Sequence, residues 1–146
     1  MVKPKRLGHL VLRVLDITRS EKFYTEVLGL HVTSRVSDSM VFMSASKYAS
    51  HELALMSSGP NATRPDDQQA GLYHFAWEME SLSDLQSTYR ELKAKEIAIA
   101  GIGDHGISIG IYFFDPDGNE IEVFYELPRE QWPTGNIFQG KFPGSL

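Results

Sequence analysis

"GLYHFAWEM", residues 71–79, reads as a β-strand with a histidine in fourth place. With a period of two, Tyr73, Phe75, Trp77 and Met79 share one face, and His74, Ala76 and Glu78 share the other. The first face is predicted to be core. The second sets an imidazole beside one of the smallest side chains, which calls for a reason. The same arrangement occurs earlier in the chain. "RLGHLVLRV", residues 6–14, again has a histidine fourth, His9, with Leu10, Leu12 and Val14 alternating toward an apolar face.

Each of these strands leads into a similar helical pattern. "DITRSEKFYTEVLGL" is the first, with Asp16 or Thr18 as N-cap and Phe23, Val27 and Leu28 at helical spacing; Gly29 sits where a left-handed C-cap belongs. "SLSDLQSTYRELKAKEI" is the second, with Ser81 or Ser83 as cap and a stripe of Leu85, Tyr89 and Leu92. Short strands are predicted next at 31–36, 40–44 and 52–56 in the first half. In the second half they are predicted at 97–99, 108–114 and 120–125. "DPDGN", residues 115–119, makes a tight hairpin between the last two.

The organisation is therefore β-α-β-β-β, stated twice. The expected fold is α+β: two βαβββ modules forming a curved mixed-sheet trough with the helices on its outer face. Module 1 covers 5–57 and module 2 covers 71–127, in one domain over 1–146. The linker 58–70 is rich in Gly, Pro, Ser and Asp. The tail 128–146 has too many prolines and glycines for regular structure, and Trp132, Phe138 and Phe142 are expected to pack it against the body. By parity His9 and His74 fall on the trough side, with Val11, Ala76 and Phe114 among its lining.

Composition narrows the chemistry. A chain of 146 residues with 42% hydrophobic content supports one core, and a net charge of −5 argues against a nucleic-acid grip. No N-terminal apolar run or bilayer-length stretch is present, and a cytoplasmic location is expected. Asn61-Ala62-Thr63 fits a glycosylation sequon but carries no weight without a secretion signal. With no cysteine, disulfides and thiolate metal sites are excluded. A metal site must then draw on carboxylates, water and five histidines, His9, His31, His51, His74 and His105.

A carboxylate is available in the last strand. "NEIEVFYE" puts Glu120, Glu122 and Phe124 on one face and Ile121, Val123 and Tyr125 on the other. A glutamate in the middle of so apolar a strand is costly to bury unless paired or bound. If Glu122 faces the trough, two imidazoles and one carboxylate converge. That is the ligand set of non-haem Fe(II) oxygenases, though it also suits Zn, Ni or Mn.

The stretches "LGHLVLRV", "FYTEVLGL", "HELALM", "GLYHFAWEME", "DHG" and "IYFFDPDGNEIEVF" resemble the vicinal oxygen chelate superfamily (glyoxalase, bleomycin resistance and dioxygenase proteins). Within it they resemble a one-domain form of the type I extradiol catechol 2,3-dioxygenases, from about Leu7 to Tyr125. The resemblance implies an Fe(II) enzyme of aromatic catabolism, with a catechol-type diol and O₂ as substrates. It implies a metal triad of His9, His74 and Glu122. It also implies His51 as an acid–base histidine that does not bind the metal, and His105 and Tyr112 as substrate contacts. His31 matches no family position and is read as a surface residue. A homo-oligomer, most simply a dimer, is expected, because small two-module chains expose sheet edges.

Two other readings share the fold. A glyoxalase I-like lactoylglutathione lyase would bind Ni or Zn through His9, Glu52, His74 and Glu122. His51 and Glu52 point to opposite faces of one strand, so one of them enters the trough, and periodicity leaves both open. The other reading is a non-enzymatic antibiotic-binding protein, which has no need of an intact triad. "GIGDHG", residues 101–106, fits G-x-G-x-x-G but precedes a strand-like run rather than a helix. It is read as a flexible loop at the trough's mouth carrying His105.

Overall fold

The computed structural model describes residues 1–66, 68–135, 137–138, 140 and 143–146. Two compact units divide the chain, Met1–Asp66 and Asp67–Leu146. In the first, β1 (Leu10–Val14), α1 (Ile17–Leu28), β2 (His31–Val36), β3 (Met40–Ser44) and β4 (Leu53–Ser57) form a sheet in the order β1-β4-β3-β2. In the second, β5 (His74–Glu78), α2 (Leu82–Ala94), β6 (Ile99–Asp104), β7 (Ser108–Phe114) and β8 (Glu120–Glu126) form a sheet in the order β5-β8-β7-β6. The first and last strands of each unit pair in parallel, and the other pairs are antiparallel. The fold is thus α+β, with one four-stranded mixed sheet and one helix per unit.

Local chemistry sets the helix ends. Asp16 caps α1 by accepting the Arg19 N–H, and Gly29 ends it in the left-handed region at φ 67°. Ser81 caps α2 by accepting the Asp84 N–H. Each helix covers one face of its own sheet. In unit 1 the core joins Tyr24 of α1 to Leu12, Val14, Val41, Met43, Leu53 and Leu55; in unit 2 it joins Leu85 and Leu92 of α2 to Ile111, Phe113, Ile121 and Val123. Burying these apolar faces is the main stabilising term, at about 25 cal/mol per Å² of apolar surface.

Four expectations are corrected. On α1 the fully buried positions are Ser20 and Tyr24, four apart, and Phe23 is only half-buried. The helix seats its 20/24 ridge on the sheet, where small Ser20 allows close approach. Tyr73, expected in the core, lies one residue before β5 and is exposed. The strand expected at 97–99 runs instead from Ile99 to Asp104, because Glu96 (φ 56°) still belongs to the exit from α2. Consequently "GIGDHG" is mostly strand and not a loop, and only residues 105–107 connect β6 to β7. The tail contains one short 3₁₀ turn, Arg129–Gln131. There Trp132 Nε1 donates to the Leu127 carbonyl and stacks against Arg129, while Phe142 lies outside the described residues.

Candidate active site

In unit 2 the strand pairing gathers polar groups on the face turned away from α2. Ala76 and Tyr112 flank Glu122 across β5 and β7, and His74 pairs with Glu120. Glu122 is buried at 9% exposure, and its two oxygens have different partners. Oε1 accepts the Tyr112 phenol O–H at 2.9 Å, and Oε2 lies 3.3 Å from His74 Nε2. The phenol's one proton goes to Glu122, so His105 Nε2, 3.0 Å from the same oxygen, is the donor to it. His105, Tyr112, Glu122 and His74 thus form one continuous polar chain.

The turn that carries His105 is fixed by Asp104 Oδ1, which accepts the Gly106 N–H, and by Gly106 at φ 83°. Burial, then the hydrogen bond and charge of Glu122, hold the Tyr112 phenol well above its usual pKa, with smaller contributions from Glu120 and Tyr73. A pocket of about 390 Å³ opens beside these groups. Ala76, Ile107, Phe124 and Phe138 give it apolar walls, and His74, His105, Tyr112 and Glu122 stand along one side.

Unit 1 holds a second cluster. His9 directly precedes β1, and its ring centroid is 4.5 Å from that of His51. His51 also meets Phe42 edge-on at 5.1 Å, and its Nδ1 is 3.1 Å from Ser50 Oγ. Glu52 is used differently: its Oε2 accepts the Ala45 N–H at 3.2 Å, bracing the turn after β3. Both His51 and Glu52 precede β4, which begins at Leu53, so the alternation that set them on opposite faces of a strand does not apply to them.

Among the described residues, no group of three or more histidine, aspartate or glutamate side chains able to hold a metal ion is assembled. The pair in unit 2 nevertheless fits two ligands of one ion. Adjacent ligands on an octahedral ion with bonds of about 2.1 Å stand about 3.0 Å apart, close to the 3.3 Å between His74 Nε2 and Glu122 Oε2. His74 Nδ1 is buried without a hydrogen-bond partner, and Glu120 Oε1 is 3.8 Å from it, on the side where a ligand imidazole ordinarily meets a carboxylate.

Sequence reasoning missed Glu120 and two glycines. Glu120 was visible as the same-face neighbour of Glu122. Gly103 and Gly110 face each other across β6 and β7 beneath the polar chain, and glycine inside a strand is itself a sign of close approach.

The profile of the Glyoxalase/Bleomycin resistance protein/Dioxygenase superfamily matches residues 6–123. The chain belongs to this superfamily. It is 33% identical over 127 residues to a protein named catechol-2,3-dioxygenase from Bacillus subtilis (strain 168), covering 86% of the chain and 43% of that relative. It is 32% identical over 125 residues to one named biphenyl-2,3-diol 1,2-dioxygenase 3 from Rhodococcus globerulus, covering 84% of the chain and 64% of that relative. The chain therefore spans less than two thirds of either protein. Among solved structures, a glyoxalase/dioxygenase from Nostoc punctiforme superposes with a TM-score of 0.74 at 24% identity, covering 88% of this chain and 97% of that one. This superfamily member carries no helix, among the described residues, long and apolar enough to cross a membrane.

Proposed function

We propose that the chain acts as a metal-dependent ring-cleaving dioxygenase on a catechol-type diol, opening the ring beside rather than between the hydroxyls. The observation that carries the proposal is Glu122, whose one oxygen faces an imidazole at ligand spacing while the other is held by a phenol. His74 and Glu122 are the proposed ligands in unit 2. His9 is the proposed third ligand. Iron(II) is the proposed metal, with manganese an acceptable substitute. When bound, it supplies open positions for the two diol oxygens and O₂ and a route for electrons between them.

The protein's own groups do the rest. The apolar walls of the pocket suit one planar ring, and its volume lies within the usual range for small-molecule sites. Tyr112, kept protonated by burial and Glu122, lines the pocket and holds the carboxylate in place through its one O–H. His105 steadies the phenol oxygen. His51 Nδ1 is 3.1 Å from Ser50 Oγ; in the tautomer whose Nδ1–H donates to that oxygen, Nε2 is the nitrogen that takes a diol proton and returns it. Each sheet ends in two edge strands, β1 and β2 or β5 and β6, and a homodimer is proposed as the simplest way to cover them.

The test is aerobic assay of Fe(II)-loaded protein against a panel of catechols, following O₂ uptake and the yellow ring-fission product. Turnover of at least one diol is expected. Absence of turnover with all of them, together with isomerisation of a glutathione hemithioacetal by the Ni or Zn form, would replace this reading with that of a lyase.

A further inference from the structure

Gly103 and Gly110 are register partners in the β6–β7 ladder. Two glycines facing each other weaken a sheet, because they pack nothing and lose the most chain freedom on folding. Their backbone does not require them, since neither has a positive φ. Space does. A Cβ on Gly110 would collide with Glu122 Oε1 and stand 3.0 and 3.2 Å from Glu122 Cδ and Cγ. A Cβ on Gly103 would stand 3.0 Å from His105 Nε2 and 3.2 Å from Tyr112 Cε2. Gly101, two residues away on the same strand, has nothing within 4 Å of its Cβ position.

We propose that Gly110 is a positioning residue for Glu122: its missing side chain is the floor on which the carboxylate lies, with one oxygen toward Tyr112 and the other toward His74. Gly103 does the same for the His105–Tyr112 contact. The three atoms nearest to a methyl on Gly110 all belong to Glu122. Alanine there should therefore move the carboxylate and leave the strand intact. The metal arm of the test rests on reading Glu122 as a ligand. The folding arm does not.

The folding arm is a thermal-denaturation cycle on metal-free protein, combining Gly110→Ala with Glu122→Ala. Gly110→Ala alone should lower the midpoint by about 2–6 °C. In the Glu122→Ala background it should have almost no effect, because the obstructed atoms are gone. The double variant also serves if Gly110→Ala alone does not fold. Equal losses in both backgrounds would overturn the proposal, since the glycine would then serve the sheet rather than Glu122. The metal arm is calorimetric titration with Mn²⁺. Gly110→Ala should lose about 10- to 100-fold in affinity, whereas Gly101→Ala should match wild type. Wild-type affinity in Gly110→Ala would also overturn the proposal. A wild-type protein that binds neither Mn²⁺ nor Fe²⁺ would refute the metal reading instead, and the folding cycle would then decide the role of Gly110.

Discussion

Tyr112→Phe removes one oxygen and two hydrogen bonds from the polar chain of unit 2. The bond to Glu122 is the stronger, because its acceptor is a buried carboxylate 2.9 Å away. Such bonds contribute roughly 1.5–3 kcal/mol, and a neutral bond like that from His105 roughly 0.5–1.5 kcal/mol. The pocket is open enough for water to replace part of both, so a net loss of about 1–2 kcal/mol is expected, or a drop in midpoint of roughly 2–8 °C for a chain of this size. The pH dependence carries a sign. Burial and Glu122 raise the phenol's pKa in the folded state, so folding favours the protonated form. That contribution is complete below the unfolded value of about 10 and is lost as the pH rises toward the folded value. The difference in midpoint between wild type and Tyr112→Phe should thus be flat from about pH 6 to 9 and shrink above about pH 10. In Mn²⁺ titrations the variant should bind about 10- to 100-fold more weakly, having lost the group that orients the carboxylate. Midpoints within about 1 °C across that range, with unchanged metal affinity, would show that Tyr112 neither braces Glu122 nor stabilises the fold.

His74→Ala and Glu122→Ala should each abolish binding of about one equivalent of Fe(II) measured anaerobically, the stoichiometry of a single facial site; full retention in either would remove it from the ligand set. His51→Ala should keep metal and fold while ring cleavage falls by about 10²–10⁴. Glu52→Ala should leave both nearly unchanged, and metal loss in Glu52→Ala with full activity in His51→Ala would favour the lyase. Asp115→Ala should destabilise unit 2 by about 2–4 kcal/mol, measured by chemical denaturation, because it strands buried N–H donors in the β7–β8 turn; a loss below about 1 kcal/mol would show that the turn does not depend on that carboxylate.

Much of the fold is legible in the sequence because its signals are local. The alternation of Leu10, Leu12 and Val14, the caps at Asp16 and Ser81, and Gly29 are decided within a few residues. So is the face on which Glu122 lies, because parity in a strand is rigid. Sequence reasoning fails where a partner element decides. The stripe of α1 depends on which ridge the sheet accepts, and so Tyr24 is buried in place of Phe23. Glycines in β6 read as a loop, because their poor strand propensity is overridden by pairing with β7. His51 and Glu52 read as strand residues by alternation. They sit instead in a bend held by Thr33 Oγ1 on the Ser50 carbonyl and by the Glu52 N–H on the Met43 carbonyl, contacts that no periodicity shows.

The turn "DPDGN" links the two scales. Asp115 Oδ1 accepts the N–H groups of Asp117 and Asn119, its Oδ2 accepts the Asn119 side-chain amide, and Gly118 supplies φ 75°. These bonds fix the loop at five residues, which sets Phe114 opposite Glu120 and therefore Tyr112 opposite Glu122. A slip of one residue would turn Glu122 into the face packed on α2 and bring Ile121 or Val123 out, burying an unpaired carboxylate and exposing an aliphatic side chain. The hairpin is thus held to one register both by its turn and by its core. The same register places Gly110 under the Glu122 carboxylate, two residues along β7 from Tyr112. Position in the polar chain and stability of the sheet are set by one set of bonds, which is why the chemistry of unit 2 can be assembled on side chains separated by ten residues in sequence.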